Sequence, residues 1–107
     1  MKISIQIVTW NSRKFLSECL NSIFNQTYKD FSILIIDNAS NDGTIEFIKE
    51  NYPTLNILRN SKNLGFATAH NQGLRLFENS PYVLLINPDV ILEKDWLEKI
   101  LSVIEKD

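Results

Sequence analysis

Four short polar clusters carry the residues that could do chemistry. They are Thr9-Trp10-Asn11, Asp37-Asn38, the stretch Asn60 to Asn63, and Asn87-Pro88-Asp89. Each follows an apolar run. The last is the sharpest: the run from Tyr82 to Ile86 stops dead at Asn87-Pro88. Proline has no N–H to give a sheet ladder and turns the residue before it away from helix. The run therefore reads as a strand, and Asp89 lies just past its carboxyl end. A carboxylate there can hold a divalent cation or accept a hydrogen bond from a sugar hydroxyl. Each cluster alone is built of turn formers and reads as an ordinary turn. Four of them on one edge of one sheet form a candidate site.

The elements that must place these clusters follow from the apolar pattern. Lys2 to Thr9 reads as a first strand, and Phe31 to Ile36 as a second, buried one. Leu55 to Leu58 is a third. Tyr82 to Ile86 is a fourth, apolar throughout as in a strand buried on both faces. Between the first two strands, Phe15, Leu16, Cys19, Leu20, Ile23 and Phe24 form one helical stripe, which Asn11 or Ser12 can cap. A short helix capped by Asp42 or Thr44 runs through Ile45 and Ile48 to Glu50. Gly65 to Phe77 reads as a third helix, with Phe66, Ala69, Gly73, Leu74 and Phe77 inward. Asp95 to Glu105 is a last one, with Trp96, Leu97, Ile100, Leu101 and Ile104 on its stripe. Ile5, Val8, Ile35, Leu84 and Ile86 are the expected strand core.

Strands that alternate with helices indicate βαβ units, parallel pairing and right-handed crossovers. The expected fold is α/β, a Rossmann-like sheet of four parallel strands in the order 3-2-1-4 with helices on both faces. Strands 1 and 4 then flank the point where the order reverses and a crevice opens. All four clusters project from the carboxyl edge.

Composition narrows the chemistry. The 107 residues suit one small domain, and 44% hydrophobic with 22% charged residues is ordinary for a soluble one. A net charge of −2 gives no electrostatic footprint for nucleic acid. No apolar run approaches the ~20 residues that span a bilayer. Met1 to Val8 alternates like a strand, with no cleavage pattern of a signal peptide. The single cysteine, Cys19, forms no intrachain disulfide and fits a reducing compartment; on an apolar stripe it reads as a buried, inert thiol. His70, the only histidine, sits mid-helix and reads as structural. Glycine-rich dinucleotide and P-loop patterns, zinc spacings and the Gly-x-Ser-x-Gly elbow are all missing.

The motifs, taken together and in order, carry a resemblance. Ile7-Val8-Thr9-Trp10-Asn11 is followed by Ile36-Asp37-Asn38-Ala39-Ser40-x-Asp42-Gly43-Thr44. Then come Asn63-x-Gly65-Phe66-Ala67-x-Ala69-x-Asn71-x-Gly73 and Leu85-Ile86-Asn87-Pro88-Asp89. This series, over essentially the whole chain, resembles the family 2 glycosyltransferases of GT-A fold. Its Thr-Trp-Asn opening and Asn-Pro-Asp close are similar to the rhamnosyltransferase-like branch.

The resemblance implies a nucleotide-diphosphate sugar as donor, linked to UDP or dTDP, with dTDP-rhamnose among the candidates. It implies that Thr9, Trp10, Asn11 and Asn38 line the nucleotide pocket and that Asp37 accepts from the imide N–H of uracil or thymine. Asn63 and Gly65 let the backbone approach the nucleotide. Asn87 and Asp89 stand where the family has Asp-x-Asp, with Asp89 as ligand of Mg²⁺ or Mn²⁺ on the diphosphate. Asn87 is a neutral, weaker ligand than the family's first Asp, so metal affinity is expected to lean on the diphosphate.

Family members are much longer. The resemblance thus implies the N-terminal, donor-binding part of an enzyme whose catalytic base lies beyond residue 107, with no transfer by this part alone. A glycan or lipid-linked acceptor, cytoplasmic work and peripheral membrane association of the full-length enzyme follow from the same likeness. Apolar surface left open by a missing half favours a homodimer. Two other readings use the same residues. One is a nucleotide-binding module without turnover. The other is a flavodoxin-like receiver phosphorylated at Asp37, which lacks the acidic pair such a domain needs after strand 1.

Overall fold

The computed structural model describes residues 2–76 and 79–106. The elements run β1 (Ile3–Thr9), α1 (Arg13–Phe24), β2 (Phe31–Asn38), α2 (Thr44–Asn51), β3 (Asn56–Asn60), α3 (Phe66–Leu76), β4 (Tyr82–Ile86) and α4 (Trp96–Ile104). These are the expected elements, with ends shifted by one or two residues. Phe77, expected inward on the third helix, lies outside the described residues.

One sheet holds the four strands in the order β3-β2-β1-β4, all parallel. In register, Thr9 faces Asp37, Asp37 faces Arg59, and Asn38 faces Asn60. On the other side of β1, Ile7 faces Ile86. The polar clusters therefore emerge side by side from the carboxyl edge, on both sides of the reversal between β1 and β4.

Strand alternation sorts the sheet into two unlike faces. Ile3, Ile5, Ile7, Ile33 and Ile35 pack in one apolar cluster with Leu16, Cys19, Leu20 and Ile23 of α1, Ile48 of α2, and Leu97 and Leu101 of α4. On the opposite face Val8, Leu34 and Ile36 meet Ala69 of α3. Ser4 and Gln6 share that face and are fully buried.

Of the expected strand core, Ile5, Val8, Ile35 and Ile86 are buried. Leu84 is only partly so, packed against the rim of the larger cluster. Nor is β4 enclosed on both faces, since Leu85 is 44% exposed. The reason is position: β4 is an outer strand of this sheet, and α3 lies over β1 and β2 instead. For the same reason Phe66 and Leu74, expected inward, are exposed at 56% and 39%. Ile104, at the end of α4, is exposed too.

Candidate functional site

Thr9 and Asp37 are the centre of one half of the carboxyl edge. Both are fully buried. The Thr9 hydroxyl donates to Asp37 Oδ1 at 2.6 Å, as does the Ser40 hydroxyl at 2.6 Å, while the Ser40 amide donates to Oδ2 at 2.9 Å. That pull back toward Asp37 bends the chain so that Ala39 takes a left-handed φ of 61°. A residue with a Cβ adopts this conformation only where its surroundings enforce it. Asn11 is left-handed as well, φ 49°, which its short amide side chain tolerates. Its amide N–H donates to the Ser40 hydroxyl at 2.8 Å, and its Oδ1 accepts from the Asn41 amide at 2.8 Å. The β1 and β2 turns are thus stitched into one unit.

Asp42 adds a second stitch. Its carboxylate accepts from the Arg13 amide and from the Thr44 amide and hydroxyl. Burial pushes its pKa up, but the Thr44 hydroxyl and the Arg13 and Thr44 amides outweigh that and hold it below the usual value. One carboxylate thereby serves the first turns of both α1 and α2, where free amides and the positive end of the helix dipole favour it. Ser12 and Asn11, the expected caps of α1, bond elsewhere: Ser12 Oγ bonds with the Trp10 backbone.

Asn38 is 2% exposed and ties the same edge to α3. Its Nδ2 donates to the Gly65 carbonyl at 3.2 Å, and its Oδ1 accepts from Asn60 Nδ2 at 3.0 Å. Asn60 and Gln72 exchange two amide hydrogen bonds at 2.9 and 3.0 Å. Asn63 Oδ1 accepts from the Gly65 amide at 2.8 Å, in a turn where Gly65 has φ 87°. Glycine alone adopts that φ freely. Asn63, Gly65 and Trp10 are exposed at the rim.

Asn87 and Asp89 stand across β1 from this network. The segment that carries them is held from α1 and the turn after it: Leu92 N–H donates to Ser22 Oγ, and buried Gln26 donates to the Glu93 carbonyl and accepts from Leu97 N–H. Asp89 is exposed beside Lys14, Phe15, Glu18 and Ile91, around a cavity of about 430 Å³. The Cys19 thiol, beneath it, is pushed up to about 11 by burial and by the Asp89 charge. At neutral pH it is an inert thiol, in line with its place on the apolar stripe.

The donor set at this loop tests the expected cation. Among the described residues no three His, Cys, Asp or Glu side chains converge to hold a metal. Asp89 offers one carboxylate, and Asn87 is the only other side-chain oxygen of the Asn-Pro-Asp stretch. Asp89 faces one cavity and Asn87 another, lined with Leu84, Leu85 and Val90. The Asp89 carboxylate is a hard oxygen of the kind Mg²⁺ or Mn²⁺ takes when most of its ligands are phosphate and water.

A larger cavity, about 490 Å³, opens at the carboxyl ends of β2 and β3. Ala39, Ser40, Arg59, Asn60 and Ser61 line it. Arg59 stands outside every motif and polar cluster of the sequence. Once β2 and β3 are paired, Arg59 falls opposite Asp37, so the signal is in the register and not in any motif.

Residues 4–107 match the profile described as Glycosyl transferase family 2. An uncharacterized glycosyltransferase of Haemophilus influenzae is 32% identical over 98% of this chain, and chondroitin synthase of Escherichia coli is 33% identical over 98%. The chain spans only 33% and 16% of those proteins. S. aureus TarS, solved in complex with UDP, superposes with a TM-score of 0.87 at 26% identity, over 99% of this chain and 32% of that one. The mannosyltransferase PcManGT of Pyrobaculum calidifontis, in complex with GDP-Man and Mn²⁺, shares the fold with a TM-score of 0.83 at 22% identity, over 98% and 32%.

Proposed function

The chain belongs to glycosyltransferase family 2, and from that premise we propose that it binds the donor of a glycosyl transfer, a UDP- or dTDP-linked sugar. The observation that carries this reading is the stitched carboxyl edge, with a cavity over β2 and β3 and the Asp89 carboxylate across β1. The S. aureus relative solved with UDP supports it. dTDP-rhamnose is one donor the site can be tested with, and a glycan or lipid-linked molecule is the acceptor class. We assign no residue of this chain as the base that deprotonates an acceptor.

The residues divide the work. Asp89 would hold a divalent cation that also takes the donor's diphosphate. When bound, that cation neutralises the charge the leaving group develops, which a protein base cannot do. Asp37 is enclosed, with three donors already on it, so it acts first by fixing Thr9 and Ser40 as the pocket's floor. A direct bond from Asp37 to a uracil or thymine imide needs the Ser40 turn to open. Asn38 fixes Gly65, and Asn63 shapes the glycine turn that lets a nucleotide come close to backbone. Trp10 offers an exposed ring beside them.

The test is calorimetric titration of UDP and dTDP, with Mn²⁺ and with chelator. Binding is expected to be stronger with Mn²⁺. Asp89→Ala should weaken Mn²⁺-dependent binding by about ten- to a hundredfold, the loss of a charge-assisted contact, and leave uridine binding unchanged. A chain that binds neither nucleotide, or an Asp89→Ala variant with full Mn²⁺ dependence, overturns the reading.

A further inference from the structure

The cavity at the ends of β2 and β3 can be audited donor by donor. Ser40 is spent: its hydroxyl donates to Asp37 and accepts from Asn11, and its amide donates to Asp37. Asn60 is spent as well. Both hydrogens of its Nδ2 are given, to Asn38 and Gln72, and its Oδ1 accepts from Gln72. Ala39 contributes no polar side chain. Among the described residues Arg59 and Ser61 alone line the cavity without a side-chain hydrogen bond or ion pair. Arg59 brings five N–H donors in a planar fork and no acceptor.

A cavity whose unspent groups are mainly donors recognises a ligand edge rich in acceptors. Uracil and thymine carry two ring carbonyls. Adenine carries none, only ring nitrogens beside an amino donor. We propose that Arg59 is the base-reading residue of this chain, donating to a ring carbonyl and selecting keto bases over adenine. The inference rests on the donor-binding reading above and deepens it.

The spacing of the sheet agrees. From β3 to β4 is three strand intervals, about 14 Å. That is close to the length of an extended nucleoside diphosphate, so one molecule can set its diphosphate at Asp89 and its base at Arg59. Ala39 adds a reason for the base to sit there. Its left-handed backbone is held by the Asp37–Ser40 bonds, and it presents only a methyl group to the cavity, leaving room for a flat ring.

The experiment compares Arg59→Met and Arg59→Lys with the unaltered chain, using uridine, UDP and ADP with Mn²⁺ as probes. Ligand-observed NMR and calorimetry supply the affinities. Arg59→Met keeps the aliphatic stem of an exposed residue, and circular dichroism verifies the fold. Uridine and UDP are both expected to weaken by about ten- to a hundredfold, with ADP unchanged, so that the preference collapses. Arg59→Lys should also lose most of the preference, because the charge remains but the fork does not. An unchanged UDP to ADP ratio in Arg59→Met overturns the inference while the donor-binding reading stands. So does a loss for UDP with none for uridine, which makes Arg59 a phosphate contact. If the unaltered chain binds no nucleotide, both fall.

Discussion

On one face of the sheet, isoleucines from β1 and β2 meet three helices in a continuous apolar layer. On the other, α3 lies over β1 and β2, with a small apolar cluster and a set of side-chain amides between. Asn38, Asn60 and Gln72 form one chain of hydrogen bonds, and Gln6 with His70 forms another contact, Nδ1 donating to Oε1 at 3.3 Å. Gln6 Nε2 and His70 Nε2 are buried there without a partner among the described residues. Gly73 lets the helix sit this close: a Cβ on it falls 2.5 Å from the Gln6 amide. The difference teaches where stability and where adjustment reside. The apolar layer holds the fold together. The amide face holds the helix that starts just after Gly65, and so sets the rim of the site.

The largest effect should come from the apolar layer. Ile35→Ala removes a fully buried side chain there and should cost about 2–5 kcal/mol in urea unfolding. Its neighbour Leu34 points to α3, and Leu34→Ala is expected near the bottom of that range. Equal losses would erase the distinction between the faces.

A smaller effect sharpens the account of the amide face. Gln6→Leu leaves the His70 Nδ1 donor buried without its acceptor, at a cost of about 1–3 kcal/mol. Adding His70→Phe removes the orphan, so the double variant should recover most of that loss. Strict additivity in the double-mutant cycle would show that the two side chains do not act as a pair.

The smallest effect is set by pH. Burial pushes the His70 pKa below its usual 6.5. The unfolded chain therefore takes up a proton that the folded chain refuses. The contribution is complete above about pH 6.5 and is lost as pH falls below it. Urea midpoints should drop between pH 7.5 and 5.5 in the native chain, and drop less in His70→Phe. Identical slopes would remove His70 from the account.

Much of the fold is legible in the chain. The parallel order follows from alternating elements, and the strand ends mark the edge where polar residues gather. Burial is harder to read. The five apolar residues of β4 suggest two covered faces, but the expected order 3-2-1-4 already makes it an outer strand, and which face a helix then covers is not written in its spacing. β1 misleads in the opposite sense. Its Ile-Ser-Ile-Gln alternation suggests one face toward water, yet Ser4 and Gln6 are buried under α3.

The site shows the same limit. Thr9, Asn11, Asp37 and Asn38 do come together, and the motifs locate them. Their hydrogen bonds to one another depend on side-chain direction, which spacing leaves open. Arg59 belongs to no motif, and only strand register brings it to the cavity.

The central place of β1 shapes how the chain must assemble. Ile3 lies against Phe31 on one side and Tyr82 on the other. The first pairing closes a modest loop. The second waits until Tyr82 is made, and such remote parallel pairing slows folding. During synthesis β1 to β3 and their helices can gather while β4 is still unmade. In that interval the outer side of β1 is a bare row of amides and carbonyls flanked by Ile5 and Ile7. It is then a template for any other extended chain, and the arrival of β4 closes it.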